Sequence, residues 1–104
     1  MLTPIYTIFK SRKASANEYG VLPDGWTHGV MDGFTCWETM EEVKNALDAR
    51  FENMKNGTGL KARPIKNTLQ IDDRYGYVEG AIYYEQNGVE YQCWVAQLII
   101  AKKD

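Results

Sequence analysis

The sequence predicts an α+β fold, in which one antiparallel β-sheet of four to five strands packs a single amphipathic helix on one face. Asn87-Gly88 lies between two runs rich in aromatic and β-branched residues, and this dipeptide tolerates the positive φ angles of a tight hairpin turn. In residues 40–55, apolar side chains recur at three- and four-residue spacing, as on the buried side of a helix. With the remaining strand-like runs, these signals give the order β-β-α-β-β-β along the chain.

Two strands are expected before the helix. Residues 5–9 are β-branched and aromatic, and they follow Pro4, which suits the first position of a strand because proline has no N–H to donate. Residues 29–37 predict the second strand. Between the two, residues 11–28 are rich in Ser, Asn, Gly, Pro and Asp, and they predict a long loop of a kind that is often functional in compact domains.

The helix is expected to begin near Met40. Thr39 can accept a hydrogen bond from a free backbone amide, and Glu42 can reach back to this cap residue. The apolar stripe consists of Val43, Ala46, Leu47, Phe51 and Met54. Only Arg50 interrupts it, and its aliphatic stem can lie along the edge of a core. Gly57 then supplies the left-handed conformation that ends many helices.

A three-stranded meander is expected after the helix, with strands near residues 65–71, 75–85 and 89–100. The turn at Asn87-Gly88 predicts the opposed pairs Glu85–Glu90, Tyr84–Tyr91, Ile82–Cys93, Ala81–Trp94 and Tyr77–Leu98. If the last strand lay at the edge of the sheet, only Lys102 and Lys103 would protect it from pairing with a second copy. A homodimer is therefore left open.

The alternation of side chains divides the last two strands into two faces. One face suits the helix and comprises Val78, Ile82, Tyr84, Tyr91, Cys93, Val95 and Ile99. The other face presents rings that are typical of partner interfaces. We expect the partner-binding residues to be Tyr75, Tyr77, Tyr83 and Trp94, together with Trp26 and Tyr19 of the long loop. Alternatively, the loop or the first strand folds over these rings and makes them a second small core.

Composition and charge bound the class of protein. The chain has 104 residues, 44% of them hydrophobic and 25% charged, so we expect one domain over residues 1–104 that needs no metal or disulfide to fold. The net charge of −2 disfavours extensive binding to duplex nucleic acid. No apolar run is long enough for a membrane span or a signal peptide, so we expect a cytoplasmic protein without a membrane partner.

Catalytic, metal and cofactor chemistry is not expected. His28 is the only histidine, and it has no cysteine or aspartate at ligand spacing. Cys36 and Cys93 lie in strand-like runs and are expected to be free, buried thiols. As a general base, His28 would need a nucleophile and an orienting carboxylate, for which Asp24 and Asp32 are weak candidates. A polar loop histidine is the simpler interpretation.

Two basic clusters offer an alternative interface. They consist of Lys10, Arg12 and Lys13 after the first strand, and of Lys61, Arg63 and Lys66 before the third. If folding placed these cations beside the tyrosines of the sheet, the surface would resemble a single-stranded nucleic-acid interface of cations and stacking rings. The aromatic and glycine pattern of the RRM motif is not present.

The sequence thus favours a small, non-enzymatic protein-binding module. Inhibitors and accessory regulators of larger protein or nucleoprotein complexes often have this size and lack of motifs, including those of phages and mobile elements. Single-stranded nucleic-acid binding is the second hypothesis, and a small enzyme built on His28 is the third and least favoured.

Overall fold

A computed structural model describes residues 2–15 and 18–101. Its elements are β1 (Leu2–Arg12), β2 (Val30–Met31), α1 (Met40–Lys55), β3 (Arg63–Asn67), β4 (Gln70–Asp72), β5 (Tyr77–Glu79), β6 (Ile82–Gln86) and β7 (Val89–Ala101). Five strands form one sheet in the order β2-β1-β7-β6-β3, and β4 pairs with β5 in a separate two-stranded sheet. All the strand pairs are antiparallel. The predicted α+β fold, with one helix and one main antiparallel sheet, is confirmed.

The hairpin of β6 and β7 has the predicted turn and register. Asn87 and Gly88 both have positive φ, at 54° and 79°. In the ladder, Tyr84 is paired with Tyr91 and Ile82 with Cys93, as expected. Because the Asn87-Gly88 turn fixes the register of this hairpin, it also determines which side chains of β6 and β7 share a face of the sheet.

On the N-terminal side of Ile82, the strand predicted over residues 75–85 is wrong, because the chain leaves the main sheet at Gly80, whose φ is 82°. There Ala81 N donates to Thr68 Oγ1 at 3.0 Å, and Thr68 N donates to Ala81 O at 2.9 Å. β5 pairs with β4 instead of continuing β6, so Tyr77 is opposite Asp72 and not opposite Leu98. The predicted pair of Ala81 with Trp94 also lies outside the ladder, since β6 begins at Ile82.

The last strand lies in the centre of the sheet. β7 is paired with β1 over residues 91–101, and its first five residues are paired with β6. Residues 94–101 of β7 are paired with β1 alone, so the side of this half that faces away from β1 has no strand partner among the described residues, and the expected open edge is not excluded. Lys102 and Lys103 lie outside the described residues. β1 is longer than predicted because this ladder extends it to Arg12, into the segment expected to be a loop.

The predicted second strand is reduced to Val30–Met31. Gly33 has a φ of 88°, which interrupts the extended conformation soon after β2. Further on, Trp37 returns to β1 and exchanges two backbone hydrogen bonds with Tyr6, of 2.8 and 2.7 Å. Cys36 lies in the interrupted stretch and is exposed, contrary to expectation, whereas Cys93 is buried as predicted, and both are free thiols.

Helix α1 has the predicted bounds and packs on one face of the main sheet. Thr39 Oγ1 accepts a hydrogen bond from Glu42 N at 3.1 Å, which caps the first turn. The buried residues of the helix are Val43, Leu47, Phe51 and Met54, and they join a core with Tyr6, Ile8, Ile82, Tyr84 and Cys93 of the sheet. None of the helices in the described residues is long and apolar enough to cross a membrane.

Candidate partner-binding surface

The face of the main sheet opposite α1 carries a cluster of four aromatic side chains. We call it the ring face, and it comprises Phe9, Trp26, Tyr83 and Trp94. Phe9 and Trp94 are paired across β1 and β7, with ring centroids 6.1 Å apart. Trp26 lies against Tyr83, with ring centroids 6.0 Å apart. All four side chains are half-buried, so each keeps part of its surface in solvent.

Alternation along the strands places these rings away from the helix. Phe9 follows Ile8, and Trp94 follows Cys93, and both of those neighbours are buried in the core beneath α1. Successive side chains of a strand point to opposite sides, so Phe9 and Trp94 project from the other side. Tyr83 is related to Ile82 in the same way. The sheet therefore has one face covered by the helix and one face of aromatic side chains.

Trp26 reaches the ring face because the segment after β1 folds into a small hairpin of its own. Thr27 N donates to Arg12 O at 2.9 Å, and Leu22 N donates to Trp26 O at 2.8 Å. Asp24 Oδ1 accepts from Trp26 N at 3.1 Å, a local bond that is typical of aspartate in turns. These bonds fix the backbone that presents the Trp26 side chain.

The long segment between β1 and β2 covers only part of the ring face. Under it, Ser11 is buried and accepts a hydrogen bond from Gln92 Nε2 at 2.9 Å. Gly29 approaches so closely that a Cβ at this position would lie 2.4 Å from Cζ2 of Trp94. The result lies between the two alternatives from the sequence, because the rings are packed against this segment and are still accessible.

The predicted partner-binding residues do not form one surface. Tyr75 and Tyr77 lie at the hairpin of β4 and β5, where their ring centroids are 6.5 Å apart, and they belong to the smaller sheet. Tyr19 is fully exposed in a turn of the long segment. Of the predicted set, Trp26, Tyr83 and Trp94 are the residues on the ring face.

Sequence reasoning missed Phe9, Met31 and Phe34. Met31 is opposite Phe9 in the ladder and 42% exposed, so it extends the ring face toward the sheet edge. Strand alternation along β1 puts Phe9 on the opposite face from Ile8. The pairing of β1 with β7, which the sequence does not give, would have been needed to place Phe9 opposite Trp94. No sequence signal separates Phe34, which is 97% exposed in the loop after β2, from an ordinary core phenylalanine.

The predicted basic residues are spread over both faces of the sheet. Two of them flank the ring face, where Lys66 Nζ lies 4.6 Å from the Tyr83 ring centroid and Lys13 Nζ lies 5.9 Å from that of Trp26. Lys10 lies on the helix side, with Nζ 5.1 Å from the ring centroid of Tyr91. The clusters therefore do not form one continuous basic surface.

Carboxylates neutralise most of the remaining positive charge. Arg12 forms an ion pair with Glu18, and hydrogen bonding from its guanidinium lowers the pKa of that carboxyl. Arg63 pairs with Glu85 at 3.1 Å. Lys13 lies 3.9 Å from a carboxylate oxygen of Glu90. Lys61, the last of the six predicted basic residues, is exposed, and its backbone carbonyl accepts a hydrogen bond of 3.4 Å from Gln86 Nε2.

The residues of the enzyme hypothesis are not joined by hydrogen bonds. His28 is exposed, Asp24 bonds to the backbone of Trp26, and Asp32 Oδ2 accepts a hydrogen bond from Arg50 Nη1 at 2.5 Å. Neither aspartate makes a hydrogen bond with His28. Over the described ranges 2–15 and 18–101, no group of three or more His, Cys, Asp or Glu side chains is placed to hold a metal ion.

No protein-family model, no curated protein and no solved structure matches this chain.

Proposed function

We propose that this protein is a non-enzymatic binding module that docks on a larger protein or nucleoprotein complex through the ring face. The observation that supports the proposal is a set of four partly exposed aromatic side chains on the one face of the main sheet that α1 does not cover. Aromatic side chains bury large areas on association, and Tyr and Trp also offer a polar atom for a hydrogen bond.

The surroundings of the ring face suit a protein partner. Glu85 and Glu90 pair with basic neighbours at its margin, so the rim carries charges of both signs. Interfaces between proteins have such a polar rim around an apolar centre. The packing of Trp26 on Tyr83 and of Gly29 on Trp94 also holds the rings in place before binding, which lowers the entropic cost of association.

A module of this kind acts by occupying a surface or by fixing the arrangement of its partner, and not by chemistry. In an inhibitor, the docked sheet would cover a functional surface of the complex. In an accessory regulator, it would stabilise one conformation of the complex, because a ligand shifts an equilibrium only toward the state that it binds better. Both roles use the same contact through Trp94 and Tyr83.

Affinity capture with matched variants tests the proposal. The variants Trp94→Ala and Tyr83→Ala remove ring-face side chains, and Tyr75→Ala removes a more exposed ring of the smaller sheet as a control. From a lysate of the source organism, wild type and Tyr75→Ala should retain the same partner. Each ring-face variant should lose at least about tenfold in affinity, as expected for a central aromatic contact.

Folding must be intact for this comparison, so far-UV circular dichroism and a sizing measurement accompany each variant. Equal capture by wild type, Trp94→Ala and Tyr83→Ala would refute the site. A wild-type protein that runs as a dimer, and becomes a monomer on Trp94→Ala, would show that a second copy occupies the ring face instead.

Binding of single-stranded nucleic acid is the second candidate, because two lysines bracket the Trp26 and Tyr83 rings. Stacking rings beside cations bind bases and phosphates together. The affinity for a fluorescent oligonucleotide should then fall steeply with salt, and Lys66→Gln should reduce the salt dependence. The absence of salt-sensitive binding would exclude this candidate.

A further inference from the structure

A cleft of about 480 Å³ opens on the helix side of the main sheet, opposite the ring face. It lies between residues 46–53 of α1, the loop at residues 59–60, Asp32 after β2, and the strands β1 and β6. The helix contributes Ala46 and Ala49, whose small side chains leave the space open, and Leu60 adds an apolar wall. This volume is within the range of small-molecule sites.

Arg50 presents a partly used guanidinium to this cleft. Its Nη1 donates to Asp32 Oδ2 at 2.5 Å and lies 3.9 Å from the buried Cys93 Sγ. Over residues 2–15 and 18–101, neither Nε nor Nη2 donates to a protein acceptor. Asp32 and Cys93 therefore hold one side of the planar group, and the side formed by Nε and Nη2 can donate two parallel hydrogen bonds to an oxyanion.

Lys10 provides a second cation in the same cleft. No carboxylate of the described part of the chain lies within 4 Å of its Nζ, which rests over the Tyr91 ring. The charged side chains that line the cleft are Lys10, Arg50 and Asp32, so the lining has a net charge of +1. The one carboxylate is already engaged by Arg50 Nη1 and leaves both cations able to face a ligand.

We propose that this cleft binds a small organic anion through one carboxylate or phosphate group. The acid group receives hydrogen bonds from Nε and Nη2 of Arg50 and from Lys10 Nζ. The apolar part of the molecule lies against Ala46, Ala49 and Leu60. The inference is independent of the ring-face proposal, because the two sites lie on opposite sides of the sheet and use different residues.

A titration followed by ¹H–¹⁵N NMR tests this site with benzoate and phenyl phosphate, at constant ionic strength. Benzamide, which has the same ring without the charge, is the neutral control. At least one anion should shift the backbone amides of Lys10, Arg50 and Asn53 and the Nε–H of Arg50, with millimolar affinity, and benzamide should not. The two probes distinguish a carboxylate ligand from a phosphate ligand.

Matched charge variants separate this site from nonspecific attraction. Lys10→Gln should weaken the binding by about tenfold, because it removes one charge-assisted hydrogen bond. Lys55→Gln removes the same charge from the exposed end of α1 outside the cleft, and it should bind as wild type does. Arg50→Lys keeps the charge and loses the planar pair of donors, so it should also weaken binding.

Three results would overturn the proposal. The first is the absence of any shift with both anions, and the second is an equal response to benzamide. The third is an affinity of Lys10→Gln equal to that of Lys55→Gln. If Arg50→Lys does not fold, Lys10→Gln alone decides, since Lys10 has no ion-pair partner in the described chain whose loss could unfold it.

Discussion

At the scale of single residues, Gly80 separates the two sheets. Its φ of 82° turns the chain out of β6, and a Cβ there would lie 2.2 Å from the carbonyl oxygen of Thr68. Side chains longer than hydrogen are therefore excluded both by the backbone conformation and by a backbone contact. The sequence does not single out Gly80, because nothing local reveals which distant backbone approaches it.

Gly80→Ala should lower the free energy of unfolding by about 3 kcal/mol, the sum of left-handed strain and overpacking. Gly76→Ala is the matched control, since Gly76 has a φ of 69° and open space around its Cβ position. It should lose only about 1 kcal/mol, from strain alone. Urea unfolding measures both values, and equal losses for the two variants would contradict the assigned contact.

Burial of Tyr84 and Cys93 makes stability depend on alkaline pH. Burial raises the pKa of the Tyr84 phenol and the Cys93 thiol above their ordinary values of 10.0 and 9.0. The native state therefore keeps these protons when the unfolded chain has released them. Their contribution to stability is complete below the unfolded pKa values and is lost as the pH rises through and beyond them.

The free energy of unfolding should accordingly fall above about pH 9, with a slope of up to ~1.4 kcal/mol per pH unit for each proton. Tyr84→Phe removes one of these protons, so its curve should be flatter than that of wild type above about pH 10. Denaturant unfolding at several pH values gives the slopes. Parallel curves for the two proteins would show that Tyr84 does not contribute.

At the scale of elements, α1 was predictable because its signals are local. Thr39 and Gly57 lie within a turn of the ends they define, and the apolar stripe has the helical period. The hairpin of β6 and β7 was predictable for the same reason, since Asn87-Gly88 specifies both the turn and the register. With that register came the correct face for Tyr83 and Trp94.

The other strands depend on partners that are distant in sequence. The ladder with β7 extends β1 to Arg12, through residues whose composition indicates a loop. In residues 29–37, only Val30 and Met31 form a strand, which pairs with β1. Gly33 then turns the chain away from the edge of the sheet. The sequence placed Tyr75 and Tyr77 on the same face as Tyr83 and Trp94, because its alternating pattern gives no sign that the strand breaks at Gly80.

Loss of the cap should destabilise α1 in a predictable way. Thr39→Ala removes the acceptor for Glu42 N and should cost about 1 kcal/mol, whereas Thr39→Asp should keep most of the stability. Thr58→Ala, which removes a hydroxyl bonded to Asn53 O just after the helix, is the control and should cost less. Thermal unfolding followed by far-UV circular dichroism compares the three, and an unchanged Thr39→Ala variant would contradict the cap.

At the scale of the whole molecule, the two faces of the main sheet are covered to different extents. One is closed by α1, and the other is partly covered by the segment that brings Trp26 and Gly29 against it. How far such a segment covers a face is decided by tertiary contacts such as those of Trp26 with Tyr83 and of Gly29 with Trp94, and the sequence left both outcomes open. The partial cover is what allows the ring face to be both ordered and accessible.

Site-specific photo-crosslinking shows which face of the protein meets its partner. A benzophenone amino acid at Met31 lies beside Phe9 at the margin of the ring face, and the same group at Asn45 lies on the exposed side of α1. We predict that irradiation in the source cells joins the protein to its partner from Met31 and not from Asn45. A partner captured from Asn45 and absent at Met31 would rule out docking through the ring face.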